Sequence, residues 1–127
     1  MTGRSFTSSV VVDTSVTARA LGSGDLDVLA TPAMIALMEN AAMQAVAGAL
    51  PEGATTVGGA IDCVHLKPSP VGRTVTATAE VTAVDGRKIT FAITAHDGET
   101  LIGQATHTRF VVDRKRFLER LADASPR

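Results

Sequence analysis

The chain has 127 residues, 45% of them hydrophobic and 20% charged, a composition typical of one globular domain covering 1–127. A formal net charge of −1 and only four aromatic residues, all phenylalanine, argue against a dedicated nucleic-acid or carbohydrate binder. The single cysteine, Cys63, excludes an intrachain disulfide and a cysteine-based metal cluster.

The sequence also lacks the usual membrane signals. Its first residues contain no apolar signal core followed by a cleavage site. The longest apolar stretch, Thr31–Leu50, is long enough to span a bilayer, but Glu39, Asn40 and Gln44 lie in its middle. We therefore predict a cytoplasmic protein with no membrane or nucleic-acid partner.

The first elements are short and lead to a long helix. Phe6–Val12 predicts a strand, Val16–Leu21 a helical turn, and Thr31–Leu50 a helix. Thr31 is expected to cap this helix with its hydroxyl, and Pro32 suits the first helical position, where no N–H is needed.

Apolar residues occupy every face of this helix, which predicts that it is buried. Glu39 is then conspicuous, because a buried carboxylate is costly unless it is paired or hydrogen-bonded.

Four further strands follow, joined mostly by tight turns. They are predicted at Thr55–Lys67, Thr74–Val84, Lys88–His96 and Thr100–Val112. The pairs Asp85-Gly86 and Asp97-Gly98 predict hairpins between the last three strands.

The chain is predicted to close with a short helix that Asp113 caps and that packs Phe117, Leu118 and Leu121 inward. The order of elements indicates an α+β fold, an antiparallel sheet wrapped around the long helix. One such sheet cannot cover a fully apolar helix and also protect both of its own edges, so we predict an obligate dimer.

Three segments resemble the hotdog fold and, within it, the fluoroacetyl-CoA thioesterase-like family. They are T-P-A-M-I-A-L-M-E-N-A with Thr31 and Glu39, V-G-G-A-I-D-C-V-H-L-K-P-S-P-V-G-R-T-V-T with Gly58 and His65, and H-D-G-E-T-L-I-G-Q-A-T-H-T-R-F-V-V with His107 and Arg109. The similarity extends from about Phe6 to Leu121.

The resemblance implies a homodimeric acyl-CoA thioesterase with a Thr31–Glu39–His65 catalytic set. Gly58 would lie beside the thioester carbonyl and Arg109 near the other end of the site. In this family the site lies between subunits, with helix residues from one and the histidine from the other. Coenzyme A is part of the substrate, and no cofactor is implied.

Glu39 and His65 each have a second interpretation. Glu39 is expected to attack the thioester or to serve as base for water, but a structural acid paired with Arg109 or a backbone N–H is the alternative. His65 shares strand parity with Val57 and Cys63, so it is either a core histidine or the group that moves protons.

Thr31 and the two glycines also allow alternatives. The Thr31 hydroxyl is a helix cap, a nucleophile, or both, and a nucleophilic hydroxyl needs a neighbouring base. Gly58 and Gly59 inside a strand indicate close approach of a ligand, with backbone N–H groups that polarise a carbonyl, or a bulge.

His107 and Arg109 have the same parity and share a face of their strand. Arg109 is expected to pair with Glu39, to orient the acyl group, or to be a plain surface residue. The histidines lack metal-ligand spacing, so no metal is predicted, and His96 is assigned no role. Basic residues suited to the phosphates of coenzyme A are Arg73, Arg87, Lys88 and the run 114–116.

The segment leading into the helix limits the substrate. The fluoroacetyl-specific pattern has aromatic residues there, forming a lid, whereas this chain has Leu26, Val28 and Leu29. We therefore predict as substrate a general short-chain acyl-CoA, or an unidentified acyl thioester from a dedicated pathway. The alternatives are a hotdog hydratase or dehydratase acting on 2-enoyl or 3-hydroxyacyl thioesters, and a non-catalytic acyl-CoA or small-ligand binding module.

Overall fold

A computed structural model describes residues 1–124, arranged as five strands and three helices. The strands are β1 (Ser5–Val11), β2 (Ala54–His65), β3 (Thr74–Asp85), β4 (Lys88–Asp97) and β5 (Thr100–Asp113). The helices are α1 (Ala18–Leu21), α2 (Thr31–Ala47) and α3 (Arg114–Asp123), with a short 3-10 turn at Thr14–Val16.

The strands form one antiparallel sheet in the order β1-β3-β4-β5-β2, so β1 and β2 are its edges. Both predicted hairpins are present. Gly86 and Gly98 each begin a two-residue turn and adopt a φ of +60° there. The predicted strands and the long helix are all present, with ends that differ by a few residues.

The core lies between α2 and the inner face of the sheet. The inner face contributes alternate residues of the three central strands: Val75, Ala77, Ala79, Val81, Ile89, Phe91, Ile93, Ala95 and Ile102. The helix contributes Met34, Met38, Ala41, Ala42, Ala45 and Val46. This packing fixes the rotation of α2 and therefore the direction in which its polar residues face.

The prediction that α2 is buried on all sides is wrong for the single chain. Pro32, Ala36, Asn40 and Ala47 are exposed, because the sheet covers only one side of the helix. This exposed side carries apolar residues, Pro32, Ala36 and Met43 among them, next to the polar Asn40 and Gln44.

The prediction that Thr31 caps α2 is wrong by one residue. Ala30 is the N-cap, with an extended backbone and no capping side chain, and Thr31 is the first helical residue. Pro32 therefore occupies the second position, and the Thr31 hydroxyl is free of the capping role.

A β-bulge divides β2. Gly58 pairs with Arg109 and Ala60 pairs with Thr108, so Gly59 is the extra residue. Side-chain parity reverses at a bulge, and the prediction that Val57 shares a face with His65 is therefore wrong.

At the C-terminal end, the predicted cap is confirmed, since the Asp113 Oδ1 atom accepts a hydrogen bond of 3.0 Å from the Arg116 N–H. The predicted inward packing of α3 is wrong for Leu118 and Leu121, which are 60% and 57% exposed, whereas Phe117 is half-buried. Helix α3 lies at the end of β5, beyond the layer of core residues. No helix within 1–124 is long and apolar enough to cross a membrane.

Two leucines before α2 provide a matched test of the packing. Leu29 is 2% exposed and its N–H donates to the Ser69 carbonyl, whereas Leu26 is 63% exposed. Leu29→Ala is expected to lower the free energy of unfolding by about 2–5 kcal/mol, and Leu26→Ala by less than about 0.5 kcal/mol. Urea unfolding of both variants measures this, and equal losses would contradict the assignment of Leu29 to the core.

Candidate active site

The first functional cluster joins the start of α2 to the end of β2. The Thr31 Oγ1 and His65 Nδ1 atoms are 2.7 Å apart, a hydrogen bond between residues 34 positions apart in the chain. With His65 protonated on Nε2, Nδ1 accepts the hydroxyl hydrogen, which is the arrangement that activates a hydroxyl nucleophile. The hydroxyl therefore faces a base instead of capping its helix.

A pocket of about 290 Å³ opens beside this pair. Its lining includes Val28, Leu29 and Leu66, which are apolar, and Ser23 and Lys67, which are polar. The segment before α2 is held in place by two β-bridges, Thr17 to Leu29 and Val28 to Pro70. The pocket thus offers apolar walls and one cation close to a candidate nucleophile.

Burial controls the charge of His65. Desolvation lowers the pKa of its imidazole below the ordinary value, and the backbone of Lys67 partly opposes this shift. A neutral imidazole is the form that can take a proton from a hydroxyl. Its second nitrogen, Nε2, is buried within the chain.

The second cluster contains Glu39, Gly58 and Arg109. The Glu39 Oε2 atom is 4.0 Å from Arg109 Nη1, and the Glu39 side chain is 41% exposed. A Cβ at Gly58 would lie 3.1 Å from Glu39 Oε2 and 3.6 Å from Arg109 Nη1, so a larger residue there would crowd the Glu39 carboxylate. Glu39 is therefore a half-exposed carboxylate, not the buried acid that the sequence predicts.

Arg109 is held firmly in place. Its Nε donates to Thr56 Oγ1 at 2.8 Å and its Nη2 donates to the Thr56 carbonyl at 3.1 Å. The residue is 7% exposed, which excludes the surface role, and burial lowers its guanidinium pKa while Glu39 opposes that shift. A buried, oriented cation is suited to a polar or anionic group of a ligand.

The bulge interpretation of the glycine pair is confirmed, and close approach of a ligand stays a prediction. Gly59 is the bulge residue, and a Cβ there would approach the Phe110 ring to 2.3 Å. Because of the bulge, Thr56 and Gly58 share the inner face of β2 with Cys63 and His65. The bulge thus aligns the two clusters on one side of the sheet.

The two clusters are separate within one chain. Thr31 and Glu39 are eight residues apart on α2, which places them about 12 Å apart along the helix axis. Within one chain, the structure does not bring the Thr31 hydroxyl and the Glu39 carboxylate together. The expected division, with the helix residues and the histidine on different subunits, stays a prediction, and within this chain Thr31 contacts His65.

Sequence reasoning missed the role of Thr56 and the pocket residues Ser23 and Lys67. The side chain of Thr56 faces Arg109 because of the register between β2 and β5. The sequence did hold one signal for Thr56. Alternate residues of a strand share a face, so Thr56 lies on the same face as the candidate site residue Gly58. Among residues 1–124, no three His, Cys, Asp or Glu side chains are grouped so that they could hold a metal ion.

The half-buried His65 and the buried His107 predict how stability depends on pH. Burial lowers the pKa of His65 and of His107 in the folded chain below the ordinary value of 6.5. Below pH 6.5 the unfolded chain therefore binds more protons, and stability falls as the pH drops toward the folded-state values. Urea midpoints measured between about pH 7.5 and 5.5 should decrease, and His65→Gln should reduce that decrease. A wild-type midpoint independent of pH would contradict this prediction.

A curled antiparallel sheet over one long helix, with a hydroxyl–histidine pair and a carboxylate at its open edge, defines a hotdog-fold protein with a thioesterase type of site. A family model described as fluoroacetyl-CoA-specific thioesterase matches residues 12–115. A fluoroacetyl-CoA thioesterase from Streptantibioticus cattleyicolor is 39% identical over 100 residues, covering 79% of this chain and 72% of the relative. This chain belongs to the fluoroacetyl-CoA-specific thioesterase family.

Solved structures agree with this assignment. The fluoroacetyl-CoA thioesterase structure has a TM-score of 0.90 at 36% identity, covering 99% of this chain and 98% of that one. A threonine-to-serine variant of that fluoroacetyl-CoA thioesterase, solved in complex with acetyl-CoA, has a TM-score of 0.92 at 35% identity, with 99% of each chain covered. A hot-dog-like protein from Thermanaerovibrio acidaminovorans has a TM-score of 0.88 at 24% identity, covering 99% and 94%, which shows the fold alone. The predicted family, hotdog fold and thioesterase class are confirmed.

Proposed function

We propose that this protein hydrolyses short-chain acyl-CoA thioesters to the free acid and coenzyme A. The observation that carries the proposal is the 2.7 Å contact between Thr31 Oγ1 and His65 Nδ1 at the mouth of a pocket with apolar walls. Family membership supports the reaction class, and relatives solved with acetyl-CoA, or with fluoroacetate and CoA, support a small acyl group.

Because about 12 Å of helix α2 separates the two clusters, we infer that the active site is composite and is formed by two subunits. Strand β2 is an edge strand, so its unpaired backbone groups are available to a second copy of the chain. An antiparallel pair of β2 strands related by a two-fold axis between Ile61 and Asp62 would place Gly58 of one subunit opposite His65 of the other. Thr31 and His65 of one subunit would then face Glu39, Gly58 and Arg109 of its partner across the substrate.

In this arrangement the chemistry divides between the two halves. His65 accepts the proton of the Thr31 hydroxyl, or of a water in its place, as the oxygen attacks the thioester carbon. Attack by Thr31 leaves an acyl ester on its oxygen, and a water for which Glu39 is the base hydrolyses this ester to the free acid. If Glu39 attacks in place of Thr31, water hydrolyses the resulting mixed anhydride in the same way. Backbone N–H groups at Gly58 and Gly59 hold the carbonyl oxygen, and protonated His65 returns its proton to the leaving thiolate.

Glu39 does not act as the third member of a relay through His65. The free nitrogen of that ring, Nε2, is buried within its own chain, so a carboxylate from a partner does not reach it. The role of Glu39 is therefore at the substrate.

The acyl group is expected to be small and not specifically fluorinated. The walls of the pocket near Thr31 are Val28, Leu29 and Leu66, and no aromatic side chain closes over them. Lys67 and Ser23 at the same pocket are suited to polar groups of coenzyme A. The cytoplasmic location stays a prediction.

The test is thiol release from acetyl-, fluoroacetyl-, propionyl-, butyryl- and hexanoyl-CoA. We expect the highest kcat/KM among the short chains and little preference for fluoroacetyl- over acetyl-CoA. Hydration of crotonyl-CoA without thiol release would establish the hydratase alternative. Binding of these esters without any turnover would establish the binding module.

A further inference from the structure

His107 is a buried histidine that the proposed chemistry does not use. It lies on β5, is 1% exposed, and stacks on the Phe91 ring with centroids 5.9 Å apart. It is two residues from Arg109 on the same face, directly beside the bulge in β2.

The neighbours of His107 fix its tautomer. Nδ1 is 2.7 Å from the Ala60 carbonyl oxygen, which only accepts hydrogen bonds, so Nδ1 carries the proton and donates. Nε2 is then an acceptor, and it is 3.3 Å from Nη1 of Arg109, which only donates. Burial lowers the pKa of His107, and the positive charge of Arg109 adds to this effect, so the ring is neutral near neutral pH.

These contacts leave two of the five guanidinium hydrogens of Arg109 without a hydrogen bond, one on Nη1 and one on Nη2. Thr56 occupies Nε and Nη2, and His107 takes one hydrogen of Nη1. The second hydrogen of Nη1 is on the side of Glu39 and Gly58. The imidazole thus adds a third hydrogen bond to the planar guanidinium, at the nitrogen nearest to Glu39 and Gly58.

We propose that His107 is a positioning residue, which holds Nη1 of Arg109 toward Gly58 and Glu39 by accepting its hydrogen bond at Nε2. This inference rests on the proposed function, in which Arg109 faces the substrate. The Ala60 carbonyl, next to the bulge residue Gly59, keeps the imidazole in the accepting tautomer.

Two amide substitutions separate this role from a purely structural one. In His107→Gln the amide oxygen replaces Nε2 and can accept from Arg109, whereas in His107→Asn the amide nitrogen replaces Nδ1 and keeps only the bond to Ala60. We expect His107→Gln to stay within about threefold of wild type in kcat/KM, and His107→Asn to lose about tenfold or more. Equal losses, or a smaller loss for Asn, would overturn the proposal.

A double-mutant cycle then tests whether the effect passes through Arg109. In an Arg109→Met background, which removes the donor, His107→Asn is expected to cause no further loss. An undiminished loss in that background would show that His107 acts elsewhere.

A measurement that does not depend on catalytic activity tests this inference separately from the proposed function. Hydrogen exchange of the Arg109 Nη1 hydrogens, followed by NMR, should be slow in wild type and in His107→Gln and faster in His107→Asn. A wild type that hydrolyses no thioester would reject the proposed function, and the exchange rates would still decide the role of His107. Equal exchange in the two variants would reject that role.

Discussion

Glu39→Gln is expected to reduce kcat for thiol release by about a hundredfold or more, with kcat/KM falling in parallel. The amide keeps the size of the side chain but removes its basicity and its negative charge beside Arg109. His65→Ala is expected to cause a loss of similar size, because it removes the base that contacts the Thr31 hydroxyl. Steady-state thiol release with the best short-chain acyl-CoA measures both.

The matched control is Glu80→Gln, the same substitution at an exposed carboxylate that lines the opposite face of the sheet. It should leave kcat and KM unchanged. Thermal unfolding of all three variants identifies any loss that arises from misfolding. If Glu39→Gln keeps full activity, Glu39 is an ion-pair partner of Arg109 and has no chemical role.

The fold was accessible from the sequence because its signals are local. Alternating residues in 74–84 and 88–96, with Asp-Gly between them, determine the hairpin regardless of the rest of the chain. The long run of apolar residues correctly predicted a long helix. It did not show which faces are covered, because that depends on how far a five-stranded sheet extends around the helix.

The errors within the site have one physical cause. The alternation and spacing of residues along the chain do not specify how strands and helices align with one another in the fold. The bulge at Gly59 reverses the side-chain pattern of β2, so Thr56 faces Arg109 and Val57 does not share a face with His65. Thr31 was expected to cap its helix because the sequence does not show His65 only 2.7 Å away.

The resemblance supplied the identities of the candidate site residues, and the structure supplied their grouping. Thr31 and His65 are together in one place, while Glu39, Gly58 and Arg109 are together in another. That grouping is the basis of the second strong prediction, because a site made from two chains can be rebuilt from two inactive ones.

Mixed dimers of Glu39→Gln and His65→Ala subunits are expected to regain activity that neither variant has alone. In a mixed dimer, one site combines the intact Thr31–His65 pair of the first subunit with the intact Glu39 of the second, and the other site carries both substitutions. Random reassociation makes half of the dimers mixed, so activity should recover to about a quarter of the wild-type value. Thiol release after joint refolding, or from subunits carrying two different affinity tags, measures the recovery.

The control mixes Thr31→Ala with His65→Ala subunits. Because these two residues form a hydrogen bond within one chain, each substitution damages the half-site of its own subunit, and no site in the mixed dimer is intact. This mixture should stay inactive. Recovery in the control would mean that Thr31 and His65 act from different subunits. No recovery in either mixture, with mixed dimers confirmed by the two tags, would mean that Glu39 works with the Thr31–His65 pair of its own chain and that the composite site is wrong.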